Sequence, residues 1–204
     1  MDDFTKTVAR SYDASLESYV RRTTLHEEKT TLLKEFIQRL PDDAHVLDVA
    51  CGPGLEAGFL VKKGITVTGI DVAKEVIQYA KTNVPAATFH VMDCHELAFP
   101  DGTFHGVLSL AGIVCLRKEN VLHVLREMHR VLKISGTLLI SAKGGEGEGW
   151  EFDARDQVKK YYAYYREEEL EALLVSAGFV VQDIGSAPSD TKRTWINAFA
   201  KKES

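Results

Sequence analysis

Apolar residues along this chain recur with two periods that alternate. Short apolar or β-branched runs appear at 45–49, 65–70, 88–91, 107–110 and 137–142. Between them lie segments with apolar residues at every third or fourth position: Leu55, Phe59 and Leu60; Val76, Ile77 and Ala80; Val121, Leu125, Met128 and Leu132. A short continuous apolar run is a strand covered on both faces, and the longer period is a helix with one buried stripe. Strand followed by helix, repeated, predicts an α/β protein.

The punctuation agrees. Thr24-Leu25-His26-Glu27 reads as a capping box opening a helix that buries Leu32, Leu33, Phe36, Ile37 and Leu40, stopped by Pro41. Lys62-Lys63-Gly64 closes the helix 55–63 with cations and a glycine cap. A last helix, 167–177, carries Leu170, Leu173 and Leu174, and 179–184 and 195–200 read as two closing strands. Residues 143–150 form a glycine- and glutamate-rich loop, and Tyr161 and Tyr165 beyond it share one face of a helix. Loop and tyrosines together read either as a lid of aromatic residues with Trp150 or as a helix packing its rings on the core.

Composition narrows the class. A chain of 204 residues with 45% hydrophobic content predicts one domain with a sizeable core. Lys plus Arg is 25 and Asp plus Glu is 30, and a net charge of −5 argues against a broad nucleic-acid surface. Cysteines 51, 94 and 115 show no CxxC spacing and read as free thiols in a reducing compartment, with no metal site expected. Met1-Asp2-Asp3 is no signal-peptide start, and no apolar run approaches the ~18 residues of a membrane span. The expectation is a cytoplasmic protein.

The chemistry concentrates at strand ends. Val46 to Gly54 reads as strand, tight loop and helix start, with Gly52 and Gly54 allowing a sharp turn and close ligand approach. Asp48 stands near the end of that strand, where open α/β sheets bind ligands. Asp71 follows at the tip of the second strand, at a spacing that suits two ribose hydroxyls, with Val72 placed for an adenine face. Asp71 also fits a plain role as the acid at the start of helix 74–83, and Asp93 one as a loop cap. Lys192 and Arg193, in the connector 185–194, are candidates for an anionic ligand or simply solvated.

Asp48-Val49-Ala50-Cys51-Gly52-Pro53-Gly54 resembles the nucleotide-loop signature of class I S-adenosylmethionine-dependent methyltransferases. The likeness spans roughly 40–200. Leu97 to Gly106 resembles the family's connector into strand 4, with His105 where an aspartate is usual. Arg126 to Lys133 resembles its Arg-Glu-x-x-Arg-Val-Leu-Lys segment, followed by Ile134-Ser135-Gly136 in place of Pro-Gly-Gly. Tyr12-Asp13 and Tyr19 resemble its tyrosine-bearing leader, which folds over the cofactor.

The resemblance implies a Rossmann-like three-layer sandwich whose seven-stranded, mostly parallel sheet ends in an antiparallel hairpin. It implies one domain: a cap and helix (1–40), a cofactor core (41–142), a substrate lid (143–166), and a last helix with the hairpin (167–204). Asp48, Ala50, Cys51, Gly52, Gly54, Asp71, Val72, Asp93, Cys94 and Leu110 take the cofactor positions, Asp93 for the adenine amino group. Tyr12, Tyr19, Ala111, Lys143, Trp150, Tyr161 and Tyr165 take the acceptor side. Tyr19, His26 and Tyr165 are the candidates for a base. The implied activity is methyl transfer to a small molecule by a monomer or homodimer, yielding S-adenosylhomocysteine. The absence of Asn/Asp-Pro-Pro-Tyr after strand 4 speaks against nucleic-acid bases as acceptors.

Two rivals stay open. Gly52 to Ala57 satisfies G-x-G-x-x-[G/A] with Asp71 near the distance an NAD(P)-binding domain needs. Asp48, Asp93 and the closing hairpin count against it. The other is a methyltransferase-like subunit that binds and does not turn over.

Overall fold

A computed structural model describes residues 1–22, 24–188 and 194–203. Lys192 and Arg193 lie outside the described residues. Strands β1 (His45–Val49), β2 (Thr66–Asp71), β3 (Thr88–Val91), β4 (Phe104–Leu110) and β5 (Leu132–Gly144) pair in parallel in the order β3-β2-β1-β4-β5. Asp48 stands opposite Gly69 and Leu108, so the register aligns the carboxyl ends of these strands.

The alternation along each strand sorts the core into two layers. Leu47, Val49, Val107, Leu138 and Ile140 face α6 (Lys118–Val131) and α7 (Glu167–Ser176). Val46, Leu108 and Leu139 face α3 (Glu27–Gln38), α4 (Leu55–Val61) and α5 (Lys74–Asn83). The three-layer sandwich expected from the sequence is present.

Among the described residues the sheet has nine strands, not seven. The extra pair, β6 (Glu148–Asp153) and β7 (Val158–Tyr165), is an antiparallel hairpin where a loop and a helix were expected. Residues four apart share a face in a strand as well as in a helix, so the tyrosine spacing could not separate them. Tyrosine-rich, partly buried chain favours the strand. Gly145 and Gly147, with φ of 143° and 82°, supply the turn into the hairpin. Where β4 ends, β7 takes its place beside β5, Lys143 pairing with Tyr164. The other edge of β5 pairs with β9 (Thr194–Lys202), antiparallel, and β8 (Phe179–Pro188) pairs with β9 to close the sheet.

Helices α1 (Asp3–Ala14) and α2 (Leu16–Arg22) form the leader. Asp2 caps α1 by accepting from Thr5 N at 2.7 Å. The expected capping box at Thr24 does not form. Helix α3 starts at Glu27 with His26 at its N-cap, and Thr24 Oγ1 meets His26 Nε2 at 3.3 Å instead. Glu27 and Glu28 in the first turn answer the helix dipole. His105, at the amino end of β4, accepts from His45 N at 3.0 Å and is a structural residue far from the strand tips. Among the described residues no helix is long and apolar enough to cross a membrane.

Candidate active site

The parallel strands stop together, and the loops after β1 to β5 diverge over their ends. Helices α1 and α2 and the β6–β7 hairpin cover the gap. The result is a cavity of about 1190 Å³, large for a single small ligand.

One part of its wall is the cofactor side foreseen in the sequence. Ala50, Gly52, Asp71, Val72, Asp93, Cys94 and Leu110 all line it. Asp71 Oδ2 accepts from Gly52 N at 3.0 Å and Oδ1 from Ala73 N at 2.9 Å, tying the glycine loop to the β2 tip. A carboxylate has about four acceptor positions, so two such bonds leave capacity for a pair of hydroxyls. Burial raises the Asp71 carboxyl and those amides oppose it. Asp93 Oδ1 accepts from His95 N at 3.0 Å and contacts His95 Nδ1 at 2.6 Å. Burial works to raise Asp93, but the His95 bonds outweigh it and hold it low, while His95 is held high.

Asp48, Cys51 and Gly54 were expected at the cofactor and do not line the cavity. Alternation turns Asp48 to the α3–α4 layer, beside Val46. It is 2% exposed, and its Oδ2 has no hydrogen-bond partner among the described residues. Burial first, then the Glu56 carboxylate, push its carboxyl well up. Lys29 Nζ donates to Glu56 Oε1 at 2.7 Å in the same cluster. Cys51 is buried below the loop, and Gly54 is the left-handed N-cap of α4. A Cβ on Gly54 would meet Phe89 at 3.0 Å, which explains the glycine without a ligand.

Ala50 and Ala111 have positive φ, 58° and 70°, beside Gly112. A Cβ on Gly112 would lie 3.0 Å from that of Ala50. Strained backbone on both sides of one crevice marks it as a functional position.

The other part of the wall belongs to the leader and the hairpin. Tyr12, Tyr19, Ala111 and Lys143 line it as expected. A Cβ on Gly52 would lie 3.2 Å from the Tyr19 hydroxyl, so this tyrosine closes over the glycine loop. Tyr12 Oη lies 3.0 Å from Cys115 Sγ, and burial pushes the Tyr12 hydroxyl well up. Trp150, Tyr161 and Tyr165 are not in the wall, which corrects the expectation. Tyr161 packs against Phe4 and Trp150 at 4.8 and 5.6 Å. Tyr165 is fully buried in the core and donates to Ile113 O at 3.4 Å, which removes it as a base. On β7, Lys160 and Tyr162 reach the cavity, while Tyr161, Ala163 and Tyr165 are buried in the core and do not line it. Neither was foreseen. Reading 158–165 as a strand would have found them. His26 lines the cavity beside Lys29 on the α3 side.

Residues 46–136 match a family model described as methyltransferase domain. Over 115 residues the chain is 30% identical to the magnesium-protoporphyrin O-methyltransferase of Rhodobacter capsulatus, covering 52% of this chain and 50% of that protein. It is 33% identical over 113 residues to a ubiquinone/menaquinone biosynthesis C-methyltransferase of Geotalea uraniireducens, covering 50% and 46%. The chain thus matches about half the length of each relative. The 1,6-didemethyltoxoflavin-N1-methyltransferase of Burkholderia thailandensis, with bound 1,6-didemethyltoxoflavin and S-adenosylhomocysteine, superposes with a TM-score of 0.77. At 20% identity, covering 100% of this chain and 92% of that one, it shows the shared fold. The glycine loop and the strand tips of β1 to β4 fall inside the matched stretch. The leader and the β6–β7 hairpin fall outside it.

Proposed function

We propose that the protein is an enzyme that methylates a small-molecule acceptor with S-adenosylmethionine, leaving S-adenosylhomocysteine. The observation that carries this reading is the row of acids at two adjacent strand ends, Asp71 and Asp93, that lines one large cavity beside the glycine loop. A cofactor with a sulfonium, an ammonium and no phosphate suits that row; a pyrophosphate does not. When bound, the cofactor supplies the electrophilic methyl that the acceptor attacks in line.

The chain's own residues bind and align. Asp71 offers its remaining acceptor capacity to the ribose hydroxyls. Asp93 and the backbone at Cys94 address the adenine edge, with Val72 against its face. Gly52 lets the backbone come close where Tyr19 closes over it. Tyr12, Tyr19, Ala111 and Lys143, with Lys160 and Tyr162, hold the acceptor and exclude water, so proximity supplies much of the rate. Tyr19 and His26 stay as candidates for proton removal, and an acceptor that arrives ionised needs neither. We read the protein as a single cytoplasmic domain acting on a small molecule, not on nucleic acid, as a monomer or homodimer; the charge of −5 supports that reading. The test is formation of S-adenosylhomocysteine from S-adenosylmethionine with a panel of phenols, quinols and amines. Turnover with one class, lost in Asp71→Ala, is the expected result.

A further inference from the structure

One wall of the cavity stands on the sheet itself. Register sets Leu110 of β4 opposite Ser141 of β5, and Ser141 opposite Asn197 of β9. All three line the cavity. Neighbouring strands lie about 4.8 Å apart, so this row runs about 10 Å from the β4 tip to Asn197. Trp195, two residues before Asn197 and on the same face of β9, lines the cavity as well. Ile196 and Ala198 alternate with them and turn to the opposite face, into the core.

The row is uncharged and keeps hydrogen-bonding capacity open to a ligand. Ser141 Oγ accepts from Ala111 N at 3.0 Å, which leaves its proton to donate. Asn197 is half-buried, and among the described residues its carboxamide has no hydrogen-bond partner. A carboxamide sets a C=O acceptor beside N–H donors, the complement of the N–H and C=O of a second amide. The charged groups toward the hairpin differ, because each is met from within the chain. Lys143 Nζ lies 3.2 Å from the centre of the Tyr162 ring, and Lys160 pairs with Asp156. Asp153 accepts from Arg155 Nε at 3.0 Å, and Glu151 from the Tyr164 hydroxyl at 2.5 Å. An ionised ligand is recognised by an opposite charge it can pair with, and here it would have to break one of these contacts. A neutral ligand leaves them intact and meets Asn197 directly.

We propose that Asn197 selects the acceptor by reading an uncharged lactam or amide edge, an N–H beside a C=O. The acceptor lies along the row, its methyl-accepting atom at the β4 tip and its amide edge at Asn197. Trp195 gives the ring of such a molecule an apolar face to lie on. This rests on the methyl-transfer reading, and the test separates the two.

The probes are 2-quinolone, its N-methyl derivative, quinoline-2-carboxylate and 2-(aminomethyl)quinoline, each titrated by calorimetry into protein saturated with S-adenosylhomocysteine. The four share a bicyclic ring and differ in the edge they present: lactam, lactam without its donor, anion and cation. The inference expects 2-quinolone to bind about tenfold or more tighter than each of the others. Asn197→Leu should abolish that preference, and Asn197→Asp, which keeps the shape and loses the donors, should weaken 2-quinolone by a similar factor, with S-adenosylhomocysteine still bound by both. Equal binding of 2-quinolone and its N-methyl derivative by the unaltered protein overturns the inference while the methyl-transfer reading stands. So does tighter binding of either charged probe, no binding of 2-quinolone, or a preference that survives in Asn197→Leu. Failure of the unaltered protein to bind S-adenosylhomocysteine overturns both.

Discussion

Gly112 shows how closely single atoms are fixed at the crevice. A Cβ there would lie 2.3 Å from Ser109 Oγ and 3.0 Å from Val49 O. Ser109 Oγ itself donates to Val49 O at 3.1 Å. Gly112→Ala should therefore destabilise by ~1–3 kcal/mol, the usual cost of overpacking. Removing the obstructing hydroxyl in Gly112→Ala/Ser109→Ala should recover part of that loss; a double variant no more stable than the single one would contradict the contact. Asp93 and His95 make a prediction in pH. The Asp93 hydrogen bond raises the His95 imidazole above its ordinary value, so that stabilisation is full below about 6.5 and is lost as pH rises through the folded value. The Asp93 carboxyl is depressed, so its share is present above about 3.9 and is lost as pH falls through its folded value. Proton NMR of Asp93→Asn should show His95 titrating at lower pH than in the unaltered protein. An unmoved titration would mean the pair is not formed. Asp71 and Asp93 were legible in the sequence because strand tips announce themselves in the pattern. The inward turn of Asp48 was not, because it depends on which face the register gives it.

At the level of elements, the leader and the hairpin hold each other. Lys160 is 1% exposed and pairs with the buried Asp156, which also binds Ser18 of α2. Breaking a buried pair from one side leaves an uncompensated charge and costs about 3–5 kcal/mol. Asp156→Asn and Lys160→Met should each lose stability on that scale, and Lys160→Met/Asp156→Leu should lose less than either. Denaturant midpoints measure this, and additive losses would contradict the coupling. This clasp was invisible in the sequence. Ser18 lies far from Asp156 in the chain, and Lys160 reads as a surface residue until β7 is known to be a strand. The helices 74–83 and 118–131, by contrast, were found almost to the residue, because their apolar stripes face a sheet along their whole length.

In the whole molecule, the parallel strands and the antiparallel closure followed from the alternation of periods and from the family likeness. The cavity did not. It is made by residues from the leader, the strand tips and the hairpin, which only the folded chain brings together. The central claim is that this cavity takes an adenosyl ligand through Asp71. The direct measurement is calorimetric titration with S-adenosylmethionine, S-adenosylhomocysteine and NADH, on the protein and on Asp71→Ala. The account predicts binding of both adenosyl ligands, none of NADH, and at least a tenfold loss in the variant, since a charged hydrogen-bonding group contributes about 1.5–3 kcal/mol. Binding of NADH alone, or adenosyl affinity unchanged in Asp71→Ala, would contradict it.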